Sequence, residues 1–80
     1  MNSTLTRMAV AIDRLDGKLK TLCSLQGVDV NLARDLVRDI AERGCRMEDA
    51  FEIVIFNLAR ANTPELAAVY LAELGAGGRR

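Results

Sequence analysis

The sequence lacks histidine and tryptophan entirely, and it has one proline and two cysteines, Cys23 and Cys45, among 80 residues. A structural zinc site takes about four cysteine or histidine ligands, and these two cysteines are far apart rather than in a Cys-x-x-Cys pair. The missing ligands exclude a zinc site of this kind. No other pattern in the chain indicates a metal or a cofactor.

Catalytic signatures are also missing. The sequence has no glycine-rich phosphate loop and no nucleophile beside a base, and these are the arrangements on which phosphoryl and acyl transfer depend. The neighbouring carboxylates Glu48 and Asp49 fall at the solvated start of a predicted helix, so they need no catalytic explanation. The sequence therefore indicates a protein that is not an enzyme.

Long apolar runs are absent too. No stretch approaches the roughly 20 residues that span a bilayer, and Asn2, Ser3, Thr4 and Thr6 interrupt the N-terminal segment where a signal peptide would be apolar. We expect a cytoplasmic protein without a membrane segment. In that reducing compartment both thiols are expected to be free.

Charge of one sign is not in excess. The chain carries 11 basic and 11 acidic residues, and no segment has the basic footprint that binding to a phosphate backbone requires. Nucleic acid is therefore not an expected partner. Arginine outnumbers lysine nine to two and alanine is abundant, a bias typical of GC-rich bacteria and their phages.

What the chain has is apolar residues at helical spacing. Half of its residues are apolar, while only 4% are aromatic. A first helix is predicted from Leu5 to about Leu25, with Ser3 or Thr4 as its N-cap. Alternating steps of three and four residues place six of its apolar side chains on one heptad seam. The seam consists of Leu5, Met8, Ile12, Leu15, Leu19 and Leu22.

The seam has two interpretations. A chain this short has a marginal core, and small domains of this kind are commonly stabilised by oligomerisation. The seam then pairs with the same helix of a second copy, which predicts a homodimer. Alternatively, it packs against the other helices of its own chain, because helices of a bundle show the same spacing.

A second helix is predicted from Asp29 or Asn31 to Gly44. One broad face is apolar and the opposite face is charged, which is the pattern of a half-buried surface helix. The apolar face consists of Leu32, Ala33, Leu36, Val37, Ile40 and Ala41. The charged face, expected to be solvated, consists of Arg34, Asp35, Arg38, Asp39 and Glu42.

A third helix is predicted from Met47 to Ala61. The run from Phe51 to Phe56 has strand propensity, but its flanks keep helical spacing and no second strand is available as a partner. The side of this helix away from its apolar stripe carries Asp49, Ile53, Phe56 and Arg60. Either this helix is central or lies in a homodimer interface, or the four residues form a partner-binding site with Phe56 as anchor.

A fourth, short helix has the clearest start signal in the chain. Thr63 is its predicted N-cap and Pro64 its first residue, and Gly75 is predicted to end it. Its apolar face consists of Leu66, Ala67, Tyr70, Leu71 and Leu74. Residues 1–74 thus form one helical domain, and residues 75–80 form a flexible tail of glycine and arginine.

The second and third helices also invite a helix-turn-helix interpretation. The would-be recognition helix opens with Glu48, Asp49 and Glu52, which phosphates would repel. The turn offers Gly44 and Arg46 where such a motif packs apolar side chains. Cys45, in the same turn, is interpreted as a small apolar filler, with a reactive thiol as the alternative.

The sequence as a whole predicts an all-α protein, a small four-helix bundle that dimerises and binds another protein to inhibit or regulate it. Antiactivators, anti-defence proteins and phage inhibitors share its size and class, which is an analogy and not a motif match. Two alternatives remain open: a DNA-associated regulator of helix-turn-helix type and a structural assembly subunit. A DNA binder would lose affinity steeply with salt, while an assembly subunit would form large, concentration-dependent oligomers.

Overall fold

Four α-helices account for the fold in a computed structural model of the chain. The structure describes the backbone of residues 3–76 and the side chains of residue 7 and residues 9–76. The helices are α1 (Ser3–Gln26), α2 (Val30–Glu42), α3 (Met47–Arg60) and α4 (Pro64–Ala76). No strand occurs within residues 3–76, so the predicted all-α class with four helices is confirmed.

Helix α1 is continuous through the Asp16-Gly17 dipeptide, as its unbroken seam predicts. It begins at Ser3, two residues earlier than expected, so Ser3 and Thr4 lie within its first turn rather than before it. Gly27 ends it with a φ of 67°, a left-handed conformation that glycine adopts without steric cost. The chain then turns directly into α2.

Side-chain caps define the starts of α2 and α4. The Asp29 carboxylate accepts a hydrogen bond from the backbone N–H of Asn31 at 2.9 Å, and the Thr63 hydroxyl accepts one from the N–H of Leu66 at 3.1 Å. Each bond satisfies an N–H that has no partner within its own helix. Helix α4 passes through Gly75 and ends at Ala76, one residue beyond the predicted end. Residues 77–80 of the predicted tail lie outside the described residues.

Helix α3 is central, with α1, α2 and α4 packed around it. Its start lies beside Ile12 of α1, and its end lies beside Gln26 at the end of α1, so α1 and α3 run parallel. The molecule is 18 Å across its thinnest dimension, about two helix layers. Helix α2 contacts each of the other three helices.

The core is small and apolar. Leu19, Val54 and Leu58 are completely enclosed at its centre, where burying each side chain stabilises the fold by about 1.5–3 kcal/mol. The remaining buried apolar residues are Cys23, Ala33, Leu36, Val37, Ile40, Ala50, Phe51, Ala61 and Ala67. Every helix contributes to this core, so the described residues form one packed unit.

Two polar side chains tie helix ends to distant helices. The Gln26 amide donates to the carbonyls of Leu58 at 3.2 Å and Ala61 at 2.9 Å, which would otherwise lack partners at the end of α3. The Arg43 guanidinium donates to the carbonyls of Leu74 and Gly75 at the end of α4. Positive charge at a helix C-terminus also complements the helix dipole.

Candidate functional site

The outward face of α3 brings together the four partner-binding candidates from the sequence. Asp49, Ile53, Phe56 and Arg60 follow one another at steps of four, three and four residues, so they form one stripe along the helix. The Phe56 side chain is 65% exposed, and Ile53 is half-buried against the core. Asp49 and Arg60 lie exposed at opposite ends of the stripe. An apolar centre thus stands between a negative and a positive end.

Contacts with α3 and α4 fix the position of Arg60. Its guanidinium donates two hydrogen bonds to the side-chain oxygen Oδ1 of Asn57, at 3.0 and 2.8 Å, and lies 3.6 Å from the centre of the Tyr70 ring. Such a cation–π contact is worth about 0.5–1 kcal/mol at an exposed site. The Asn57 amide in turn donates to the Ile53 carbonyl at 2.8 Å. Sequence reasoning placed Tyr70 in the apolar face of α4 and missed its role beneath Arg60.

An apolar groove between α1 and α3 adjoins this stripe. It has a volume of about 440 Å³, and its lining includes Leu22 of α1 and Ile55 and Ala59 of α3. Leu25, one turn further along α1, is 76% exposed. Leu25 was not among the sequence candidates, because it falls outside the heptad seam.

The described members of the predicted self-association seam face their own chain. Leu19 is completely buried in the core, while Ile12, Leu15 and Leu22 are half-buried against it. The side chains of Leu5 and Met8 lie outside the described residues. These contacts fit the intramolecular interpretation of the seam for the four residues, with Leu19 in the core of its own chain, and self-association through the seam stays a prediction.

A second groove, the α2–α4 groove, lies between those two helices and the turn that precedes α2. It has a volume of about 580 Å³, and its charged lining residues are Asp29, Asp35 and Asp39. Leu32 also lines it and is 65% exposed, so the prediction that Leu32 belongs to the buried face of α2 is wrong. The other helices pack on the side of α2 that carries Ala33 and its neighbours, which leaves Leu32 at the rim.

One charged residue of α2 is not solvated as expected. The Arg34 guanidinium donates two hydrogen bonds to the Asp16 carboxylate of α1, at 2.9 and 2.8 Å, and both side chains are partly buried. These hydrogen bonds hold the pKa of Asp16 below its ordinary value. The pair joins α1 to α2, a contact that helical periodicity alone does not reveal.

The two cysteines have opposite environments. Cys23 is buried in the core, as its place beside the seam predicts, and burial raises the pKa of its thiol. Cys45 is exposed in the turn between α2 and α3. The interpretation of Cys45 as an apolar filler is wrong, because Cys45 lies in a stretch, residues 42–47, that is exposed throughout.

Within the part of the chain that the structure describes, no three His, Cys, Asp or Glu side chains are grouped as metal ligands would be. None of the helices there combines the length and the apolar character that crossing a membrane takes. The charged and apolar surfaces described above are thus the features on which a function can be argued.

Comparison of the chain with protein-family models, with curated proteins and with solved structures finds no match.

Proposed function

We propose that this protein is a small, non-enzymatic binding protein that docks on another protein through the outward face of α3 and regulates it. Phe56 carries the proposal, because it is one of only two phenylalanines in the chain and yet is 65% exposed. Large aromatic side chains in such positions are typical anchors of protein interfaces. Enclosing one in a partner's pocket contributes about 1.5–3 kcal/mol.

The surroundings of Phe56 support a protein partner rather than a small ligand. Arg60 is held in place by Asn57 and Tyr70, so docking would cost little of its conformational entropy. Asp49 and Arg60 give the stripe opposite charges at its two ends, and such complementarity orients a partner. Leu25 and the groove between α1 and α3 extend the apolar surface sideways.

Regulation would then follow because this protein occupies a surface of its partner. A protein of 80 residues that covers an interaction surface of its partner blocks or adapts that surface without chemistry of its own. A role for α3 as a DNA-recognition helix is disfavoured, because Asp49 and Glu52 are both exposed on the face that would meet the phosphates.

The test is affinity capture of the tagged protein from a lysate of its source organism, followed by mass spectrometry. We expect wild type to capture one stoichiometric protein that Phe56→Glu loses. Val69→Glu is the matched control, since Val69 is a half-exposed apolar residue on α4, and this variant should retain the partner. Capture should also change little between about 0.05 and 0.3 M NaCl, because apolar contacts dominate.

Two results would contradict the proposal. One is a partner retained equally by Phe56→Glu and Val69→Glu, which would move the docking site away from α3. The other is co-purifying nucleic acid that salt removes, which would favour the DNA-associated regulator.

A further inference from the structure

The α2–α4 groove is acidic along one wall. Asp29, Asp35 and Asp39 all line it, and no lysine or arginine does. Asp29 also caps α2, and Asp35 pairs with Arg38 on the solvent side, so the charge is partly compensated at two positions. The exposed Leu32 lies between Asp29 and Asp35. The wall thus alternates carboxylates with an uncovered apolar side chain.

The α4 wall of the same groove carries three small residues beside Pro64 and Leu71. Ala68, Ala72 and Gly75 line it at steps of four and three residues, which is one face of a helix. Small side chains allow another helix to approach closely, since the distance between helix axes depends on the side chains at the contact. The groove therefore has the shape for an incoming helix with cationic and apolar side chains.

The same chain presents a helix face of that chemistry. Arg7, Val10, Arg14 and Lys18 are all exposed on one side of α1; we call this the basic face of α1. The nearest acidic residues, Asp13 and Asp16, lie around the helix from it, and Asp16 is engaged with Arg34 on α2. None of the ion pairs within the described residues involves Arg7, Arg14 or Lys18.

The two surfaces match in spacing as well as in sign. At about 1.5 Å per residue, Arg7, Arg14 and Lys18 are separated by about 10 and 6 Å along α1. The carboxylates of the groove, Asp29, Asp35 and Asp39, are separated by about 9 and 6 Å along α2. When the helices are aligned in parallel, Val10 comes opposite Leu32, because each lies between the first and second charge of its series.

We infer that a second copy of this chain docks the basic face of its α1 in the α2–α4 groove, and that the exchange is reciprocal in a closed dimer. Each copy contributes one basic face and one groove, so a two-fold axis satisfies both contacts at once. This interface is distinct from the described part of the heptad seam, which packs against its own core. It leaves the stripe of Asp49, Ile53, Phe56 and Arg60 on α3 free, and meets the α1–α3 groove only at Lys18.

A charge-swap experiment on the full chain tests the inference, with molar mass measured by light scattering or sedimentation. Asp35→Lys/Asp39→Lys makes the groove basic, and Arg14→Glu/Lys18→Glu makes the α1 face acidic. Each variant alone juxtaposes like charges, so we expect its dimer dissociation constant to rise by roughly 100-fold. An equimolar mixture of the two should recover the wild-type dimer, because both contacts of the mixed pair regain opposite charges.

The control is Asp49→Lys/Glu52→Lys, which makes the same charge change on the outward face of α3. This variant should dimerise like wild type, and circular dichroism confirms that all variants remain helical. Wild type provides an independent measurement, since its dissociation constant should rise with NaCl between about 0.05 and 0.5 M. That salt series keeps the inference testable even if a variant fails to fold.

Several results would overturn the inference. A wild-type protein that is monomeric at all concentrations would do so, even if the groove then bound an added basic amphipathic peptide, because the occupant would be foreign. A dimer that survives both charge reversals would assign the interface elsewhere, and oligomers that grow with concentration would exclude reciprocal closure. None of these outcomes depends on the Phe56 capture experiment, so the two proposals fail separately.

Discussion

Leu19 and Leu25 are six residues apart on α1, and their environments are opposite. Leu19 is completely buried, whereas Leu25 is 76% exposed. We expect Leu19→Ala to lower the free energy of unfolding by about 2–5 kcal/mol, because it leaves a cavity in the core. Leu25→Ala is the matched control and should change it by less than about 0.5 kcal/mol. Urea denaturation followed by circular dichroism measures both, and equal effects would contradict the packing described for α1.

The Asp16–Arg34 pair predicts a pH dependence. Because the pKa of Asp16 is depressed in the folded protein, the pair stabilises the fold above the ordinary carboxylate pKa of about 4. That contribution is lost as the pH falls through the folded pKa. The melting temperature of Arg34→Met should therefore fall less between about pH 6 and pH 3 than that of wild type.

The control for this measurement is Arg38→Met. Arg38 pairs with Asp35 only on the exposed surface of α2, and such pairs contribute little to stability. Its melting temperature should follow the pH dependence of wild type. If the melting temperatures of Arg34→Met and wild type depended on pH in the same way, the Asp16–Arg34 pair would not stabilise the fold.

For single residues, the sequence predicts which side chains are buried better than it predicts which side chains they contact. Helical spacing places Leu36, Val37 and Ile40 on the buried side of α2, where they lie. It cannot place Leu32 or Arg34, because their environments depend on where α1 and α4 pass, and those positions are set by tertiary packing. The same applies to Arg60, whose partner Tyr70 is on another helix.

The helix limits follow from local chemistry, and they were predicted to within one or two residues. The caps at Asp29 and Thr63 and the helix end at Gly27 depend only on neighbouring residues, so they can be predicted from the sequence. The continuity of α4 through Gly75 could not be predicted in this way. The Arg43 guanidinium donates hydrogen bonds to the carbonyls of Leu74 and Gly75, which are 31 and 32 residues away in sequence. A contact of that range cannot be read from a local pattern.

Gly17 within α1 and Gly27 directly after it provide a prediction at the scale of the helix. Gly17 is exposed to solvent and lies in the middle of α1. A Cβ added there would meet nothing within 4 Å. We expect Gly17→Ala to raise the free energy of unfolding by about 1 kcal/mol, because alanine loses less entropy in a helix. Gly27→Ala should instead lower it by about 1–2 kcal/mol, since Gly27 is in the left-handed region. Chemical denaturation measures both variants. If both substitutions changed the free energy of unfolding in the same direction, the prediction would be contradicted.

The whole molecule is thin, and its one core is shared by all four helices. Cys23 lies in that core with a raised thiol pKa, while Cys45 is exposed. Because thiolates are the reactive species, we expect Cys45 to react with a thiol reagent at once. Cys23 should react only as fast as the whole fold opens.

The measurement is labelling of Cys45→Ser in increasing urea. The labelling of Cys23 should then depend on urea with the same slope as global unfolding. A shallower slope would indicate that α1 opens separately from the other three helices. Fast labelling in the absence of urea would contradict the burial of Cys23.

The contact between Arg60 and Tyr70 has one more consequence. The chain has no tryptophan and a single tyrosine, so its intrinsic fluorescence comes almost entirely from Tyr70. That fluorophore lies beneath a guanidinium that belongs to the proposed docking stripe. Its emission therefore reports on the packing of α3 against α4, and on any partner that displaces Arg60, without an introduced label.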